Sequence, residues 1–230
     1  MFAVVFEVKP AEGKKDEYLG HAKELKPIIE TIDGFIDNER FESKLRPGWV
    51  LSLSTWRDEK AVIRWRVQSN HHGIQELGRA GIFSDYHLRV CEITADTHPP
   101  AGISVREQRY DATEVGLAKA LAITELSPSR GVAPSTDPYI LVDQLGLDRG
   151  RAGLVGYEVY ESIYNPGKML VLTAWHAADD ARDWHPADMG CQLRHRAMRS
   201  IRDYGMFDRR ETPQYYPAVK RDVVGGFTAQ

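Results

Sequence analysis

Residues 41–65, FESKLRPGWVLSLSTWRDEKAVIRW, return as residues 160–184, YESIYNPGKMLVLTAWHAADDARDW. At a constant offset of 119 the two stretches share Glu42/Glu161, Ser43/Ser162, Pro47/Pro166, Gly48/Gly167, Leu51/Leu170, Leu53/Leu172, Trp56/Trp175 and Trp65/Trp184. A repeat of this length restricts the chain to folds in which one supersecondary unit occurs twice, each copy with an apolar face to bury. The question it poses is what the two copies build together.

The first copy reads as strand, helix, strand, strand, helix, strand. FAVVFEV (2–8) is a β-branched and aromatic run with apolar residues on both faces. Tyr18, Ala22, Leu25, Ile29 and Ile32 form an i, i+3/i+4 stripe that predicts an amphipathic helix from residue 14 to about 32, with Pro27 as a late disturbance. FIDNERFES and WVLSLSTW flank the turn KLRPG and read as a hairpin. RDEKAVIRWRVQ is helical with an acidic start, HHGIQELGRAG continues helically, and YHLRVCEIT closes the unit as a fourth strand. This order is the ferredoxin-like split β-α-β arrangement. THPPAG is a linker signal, so the expected division is 1–97, a linker at 98–118, and a diverged second unit at 119–230.

Carried to its ends, the repeat sets Phe2 on Leu121. Beyond Trp184 it continues at an offset of 124, through Ile74/Met198, Leu77/Ile201, Gly81/Gly205 and Phe83/Phe207, and this places His71 on His195. The expected fold class is therefore α+β: two tandem ferredoxin-like units whose sheets pair into one barrel-like pseudo-dimer, with a ligand cavity between sheet and helices. Duplication makes a homodimer unnecessary without forbidding one.

Composition narrows the function classes. The net charge of −3 lacks the clustered basic excess that nucleic-acid binding requires. No apolar run has the roughly 18–20 residues needed to cross a bilayer, and the N-terminus reads as a strand rather than a leader. Cys91 and Cys191 have no CxxC partner and no metal-ligand spacing; two thiols without a disulfide framework fit a reducing, cytoplasmic setting. No GxGxxG, P-loop or GxSxG lies between a strand and a helix. The expectation is no metal and no nucleic-acid or membrane partner.

The segment LSLSTWRDEKAVIRWRVQSNHHGIQELGRAGIFSDYHLRVCEI resembles the signature region of antibiotic biosynthesis monooxygenase (ABM) domains, of the dimeric α+β barrel superfamily. The likeness rests on the strand ending in Trp before an acidic helix start, Trp65 nine residues later, the histidines, and FSDYHLRV. It implies a cofactor-independent monooxygenase that oxidises an aromatic phenol, quinol or polyketide-type molecule with O2, through one functional pocket in the better-matching first half.

In that reading His71 or His72 takes the substrate proton, since imidazole titrates in the useful range and adjacent helical residues cannot both face one pocket. Trp65 and Tyr86 hold the ring, and Trp56, His21, Arg89 and Phe83 complete the substrate contacts. Each also has a plain structural role open to it: the tryptophans as helix-on-sheet packing, the His pair as solvated or capping, His21 as a boundary residue, Tyr86 as core, Arg89 as a cross-sheet ion pair. Haem is the alternative cofactor, with His195 or His71 as iron ligand. Haem-degrading relatives place that His about ten residues after a Trp, a spacing Trp184–His195 approaches, yet the first strands lack the Asn those proteins carry. A third possibility is a non-catalytic ligand-binding module. The C-terminal segment ETPQYYPAVKRDVVGGFTAQ is a candidate pocket cover or partner contact.

Overall fold

The computed structural model describes residues 1–129 and 131–213. Eight strands close into one barrel in the order β1-β3-β2-β6-β7-β5-β8-β4. The first unit supplies β1 (Phe2–Pro10), β2 (Phe35–Ser43), β3 (Val50–Trp56) and β4 (Phe83–Asp96). The second supplies β5 (Ala120–Ser127), β6 (Leu154–Ser162), β7 (Met169–Trp175) and β8 (Gln192–Gly205). All pairings are antiparallel, and two seams join the units edge to edge. At one, Glu42 faces Glu161, residues that are equivalent in the repeat, so a pseudo-twofold axis passes between them. At the other, the long strands β4 and β8 run side by side. Closure leaves no open sheet edge, which is the reason a duplicated unit is satisfied within one chain.

The hairpins show why the quoted phrase recurs. Pro47 and Gly48 make a turn in which Trp49 N–H donates to Arg46 O (3.1 Å), and Gly48 sits at φ +80°. Lys168 N–H donates to Asn165 O (3.0 Å) in the same way, with Gly167 at φ +79°. A type II turn demands this Pro-Gly chemistry, and both copies retain it.

Period-two alternation then sorts side chains to two destinations. Ala3, Val5, Leu51, Leu53, Leu121, Ile123, Leu170 and Leu172 fill the barrel interior. Phe2, Trp56, Ala120 and Trp175 face the helices outside. The interior also holds two buried ionic groups at matching positions. Glu7 pairs with Arg89 and Arg46; Glu125 pairs with Arg196 and, at 2.7 Å, Lys168. The arginines hold the Glu7 carboxyl down at about 2 against the opposing effect of burial.

Two sequence expectations are corrected here. Phe2 pairs with Trp56 and Ala120 with Trp175, so the first strands correspond at an offset of 118, and Leu121 matches Ala3 inside the barrel rather than Phe2 outside. A slip of one residue exchanges the two faces of a strand. Beyond Trp184 the second unit is shorter, not longer: Phe2 faces Glu92 and Ala120 faces Arg199, an offset of 107 instead of 124. His195 consequently lies on strand β8, opposite Thr124, and has no relation to His71. Ile74 and Leu77 lie in helix and their partners at 124, Met198 and Ile201, in strand, and a short apolar run does not distinguish the two.

Helices cover the outside unequally. The first unit carries α1 (Lys15–Ile29), α2 (Glu59–Arg66), α3 (Ser69–Leu77) and a π-helical turn at Gly78–Ile82. The stripe that extends to Ile32 in the sequence stops at Ile29, just past Pro27. Among its described residues the second unit carries only α4 (Pro138–Gln144) and α5 (Ala178–Asp183). No helix among the described residues is long and apolar enough to cross a membrane.

Candidate active site

The helices of the first unit stand off the sheet and enclose a cavity of about 180 Å³. Val4, Phe6, Leu88 and Val90 form its apolar floor, with Ser52 and Ser54 from β3 beside them. These are the outward residues of their strands. α1 contributes Tyr18, His21 and Leu25; α2 and α3 contribute Trp65, Arg66, His71, Ile74 and Gln75. The second unit closes the end with Tyr204 of β8 and with Arg209 and Thr212 beyond it.

Local chemistry fixes His71. Asp58 caps α2 by accepting from Ala61 N–H at 2.8 Å. The helix ends at Arg66, and Gln68 restarts it as α3, its side-chain oxygen accepting from the His71 N–H at 2.8 Å. The His71 ring stacks on Trp65, with centroids 4.1 Å apart and planes at 12°. Its Nδ1 lies 2.9 Å from the Trp65 carbonyl oxygen, which can only accept, so Nδ1 carries the proton and Nε2 is left with its lone pair. Burial pushes the imidazole down to about 4, so the ring is neutral at pH 7. The Gln75 amide nitrogen rests 3.4 Å from Nε2.

Tyr86 occupies the other end. Its hydroxyl accepts from Arg79 at 2.9 Å and from Arg209 at 2.5 Å, so two guanidinium groups from different units meet at one phenol. Phe83 packs edge to face against Phe6 and Tyr86 at 5.9 and 6.3 Å, and Phe6 tilts against Tyr86 at 5.6 Å. Gly78 makes this possible: a Cβ there would lie 2.3 Å from the Phe83 ring.

Of the residues picked out in the sequence, Trp65, His71, Tyr86, His21 and Phe83 meet at this cavity. The His21 Nδ1 also lies 3.2 Å from the Glu24 carboxylate. His72 turns away; its side chain is 42% exposed and lies 3.4 Å from Glu76. Trp56 is not in the wall. It lies fully buried behind Trp65, 6.5 Å between rings, and donates to Ser54 Oγ at 2.9 Å. Trp175 repeats this with Thr173 at 2.8 Å, so the first Trp of each copy is helix-on-sheet packing. Arg89 points into the barrel, because it alternates with the outward Tyr86, Leu88 and Val90 along β4. His195 is buried against Trp184 (5.2 Å, edge to face), with Nδ1 2.9 Å from Thr124 Oγ1, in packed core away from the cavity. The C-terminal segment expected as a cover falls, from residue 214, outside the described residues.

Sequence reading missed Arg79, Arg66, Tyr204 and Arg209. Arg79 follows Gln75 by four residues and was within reach of periodicity, whereas Arg66, beside Trp65 where α2 ends, was not. The last two reach the cavity only because β8 lies beside β4.

Comparison with known proteins places these features in a family. The family model for antibiotic biosynthesis monooxygenase matches residues 1–77, within the half that holds the cavity. A jasmonate monooxygenase ABM of Pyricularia oryzae is 40% identical over 223 residues, covering 94% of this chain and 99% of that protein. Among solved structures, an aldoxime dehydratase overlays with a TM-score of 0.55 at 13% identity, covering 86% of this chain and 81% of its own, and shares the fold. With both units aligned to a relative along nearly its whole length, the chain belongs to the antibiotic biosynthesis monooxygenase family.

Proposed function

We propose that this protein is a monooxygenase that oxidises a small, largely apolar cyclic molecule with O2 in the first-unit cavity, with His71 as general base. The observation that carries this is the state of His71: neutral, tautomer fixed by the Trp65 carbonyl, and set in an apolar cavity where water competes poorly. The relative's name supports the reaction type, and jasmonate, a cyclopentanone carboxylic acid, is one substrate to test beside the phenols and quinols the family resemblance implies.

The step suited to these residues starts at a phenol O–H or a C–H activated by a neighbouring carbonyl or ring. His71 Nε2 accepts that proton. The substrate anion gives its electrons to O2, recombination forms a C–O bond, and the imidazolium returns the proton to make a hydroperoxide. Loss of water then converts CH2 and O2 into C=O and H2O, all four electrons coming from the substrate. Where the product is an alcohol instead, a two-electron donor must join the reaction. Trp65, stacked against His71, offers its remaining face to a flat ring, and the Tyr86 end sets orientation.

Haem is the competing cofactor. His195 does not suit it, being enclosed by Trp184 and Thr124 away from the first-unit cavity. His71 is the histidine that would hold iron, and haem would then supply the oxygen chemistry. Oxygen uptake with hydroquinones, anthrone-like ketones and jasmonate, each with and without NADPH, tests the proposal. Uptake abolished in His71→Ala supports it. A stoichiometric Soret band on adding hemin, lost in His71→Ala, with uptake only in the loaded protein, would overturn the cofactor-free route.

A further inference from the structure

β3 presents two serines to the cavity, and hydrogen bonding fixes what each has to offer. Trp56 Nε1–H donates to Ser54 Oγ at 2.9 Å, and an indole can only donate. Asn38 Nδ2–H donates to Ser52 Oγ at 3.2 Å and to the Leu53 carbonyl oxygen at 3.0 Å. That carbonyl can only accept, and the Arg40 guanidinium, 3.1 Å from Asn38 Oδ1, can only donate, so the amide has one orientation. Both hydroxyls therefore act as acceptors within the wall. Among the described residues neither finds an acceptor for its own proton. Ser54 is only 7% exposed, so the acceptor has to come from the cavity.

The second unit has the same strand position with its proton spent. Thr173, the counterpart of Ser54, accepts from Trp175 at 2.8 Å and donates to the Ala122 carbonyl at 3.3 Å. The neighbouring strand differs as well. Asn38 lies beside Ser54 and Arg40 beside Ser52, where the second unit sets Tyr157 beside Thr173 and Val159 beside Val171. The polar chain Arg40–Asn38–Ser52 thus belongs to the copy that keeps a cavity, and apolar packing replaces it in the copy that fills the space. A guanidinium at the head of such a chain polarises the groups after it and makes the terminal O–H a better donor.

Resting on the proposed oxidation site, we infer that Ser52 and Ser54 are its specificity residues: their hydroxyls receive a carbonyl oxygen, and the substrate is a ketone on an apolar body. A phenol or alcohol brings a proton of its own that needs an acceptor. A carbonyl oxygen has two lone pairs and no proton, which is what two donors require. The serines stand at i and i+2 on one face, roughly 7 Å apart along the strand, and two O–H···O bonds of about 2.8 Å nearly span that gap. His71, with a lone pair at Nε2, does not compete for the same oxygen. The floor then orients the molecule. The strands run β3, β1, β4, so the carbonyl marks one edge, Val4, Phe6, Leu88 and Val90 carry the apolar body, and Tyr86 stands at the far side.

The test reads the carbonyl itself, independent of turnover. 2-Pentylcyclopentanone, isotopically labelled at the carbonyl carbon, is bound to the full chain, and its infrared stretch is compared with that of the free ketone in hexane and in water. Hydrogen bonding lowers this stretch, so we expect the bound band at or below its position in water. Ser52→Ala and Ser54→Ala should each move it part of the way toward the hexane position, and the double variant most of the way. Competition against the neutral fluorescent probe phenylnaphthylamine gives affinities. Each single variant should bind the ketone about 2- to 10-fold more weakly, the worth of one neutral hydrogen bond, and bind pentylcyclopentane unchanged. Ser54→Ala also strips the buried Trp56 N–H of its acceptor. If that variant fails to fold, Ser52→Ala, which leaves Asn38 bonded to the Leu53 carbonyl, provides the same reading. A merely structural role for the serines would weaken ketone and hydrocarbon alike and leave the band in place. That result, a band at the hexane position in the unmodified protein, or no binding of the ketone would overturn the inference. A lowered band that responds to the serines, without oxygen uptake, would sink the oxidation proposal and leave the carbonyl site standing. Uptake with hydroquinones beside a ketone band at the hexane position would do the reverse.

Discussion

Trp65 and Trp184 are the same residue of the repeat with opposite fates. Trp65 is partly exposed in a cavity wall with a histidine stacked on its face. Trp184 is 1% exposed, its indole N–H buried without a partner, with a histidine edge-on in packed core. The difference comes from what surrounds them. In the first unit a 15-residue α1 and the α2–α3 pair bridge over the sheet, and β3 presents Ser52 and Ser54. In the second, α4 has seven residues, α3 has no counterpart among the described residues, and the matching β7 positions are Val171 and Thr173. Leu141, Val142, Leu145, Leu147 and Trp184 fill the space directly. One copy keeps a cavity; the other holds the barrel shut and lends its C-terminal strand to that cavity's wall.

Breaking the comparison at its chemistry should give the largest effect. His71→Ala is expected to lower kcat about 10²- to 10⁴-fold, the usual worth of a general base, whereas His195→Ala should lower Tm and leave kcat within a few-fold. Comparable kcat losses in both variants would remove the functional asymmetry between the units.

Packing should separate the halves next. Leu141→Ala in the filled unit should cost about 2–5 kcal/mol, the range for emptying a close-packed core. Leu25→Ala, on a wall that already faces open space, should cost well under that. Urea denaturation of the two variants measures the difference, and equal losses would mean that the first-unit cavity is not open.

The two histidines sharpen the comparison through pH. Burial depresses both to about 4, so in each case the unfolded chain takes up a proton near pH 6.5 that the folded protein refuses. Stability is therefore full above about pH 6.5 and falls as the pH drops toward 4, by roughly 3 kcal/mol per histidine at the limit. His71→Gln and His195→Gln should each flatten the profile between those limits. The pH-rate profile differs: only His71 should set its acid limb, near pH 4 instead of 6.5. A limb unchanged in position by anything done at Trp65 or His71 would assign the base elsewhere.

The smallest effect is local. Gly78→Ala sets a methyl against the Phe83 ring and should cost about 1–3 kcal/mol as overpacking, with substrate binding weakened as the ring moves into the cavity. Thermal melts read the first, and oxygen uptake against substrate concentration reads the second as a raised KM.

Much of this molecule was decided by the order of its residues. The Pro-Gly turns, the alternation in FAVVFEV and the paired tryptophans are local properties, and they suffice for a duplicated β-α-β-β-α-β unit and an internal pseudo-dimer. Trp65, His71, Phe83 and Tyr86 were legible as a site because they fall within one continuous helix–turn–strand stretch, and His21 because it lies at the edge of an apolar stripe. Three things needed the tertiary structure. The one-residue slip of β5 that turns Leu121 inward, and the loss of α3 that carries His195 onto a strand, follow from strand register, which depends on partners distant in sequence. The sides taken by Arg89 and Trp56 were settled when the barrel closed and gave each strand an inside and an outside. The meeting of Arg79 with Arg209 on Tyr86 exists because β8 runs beside β4, a contact between residues 123 positions or more apart that no local pattern encodes.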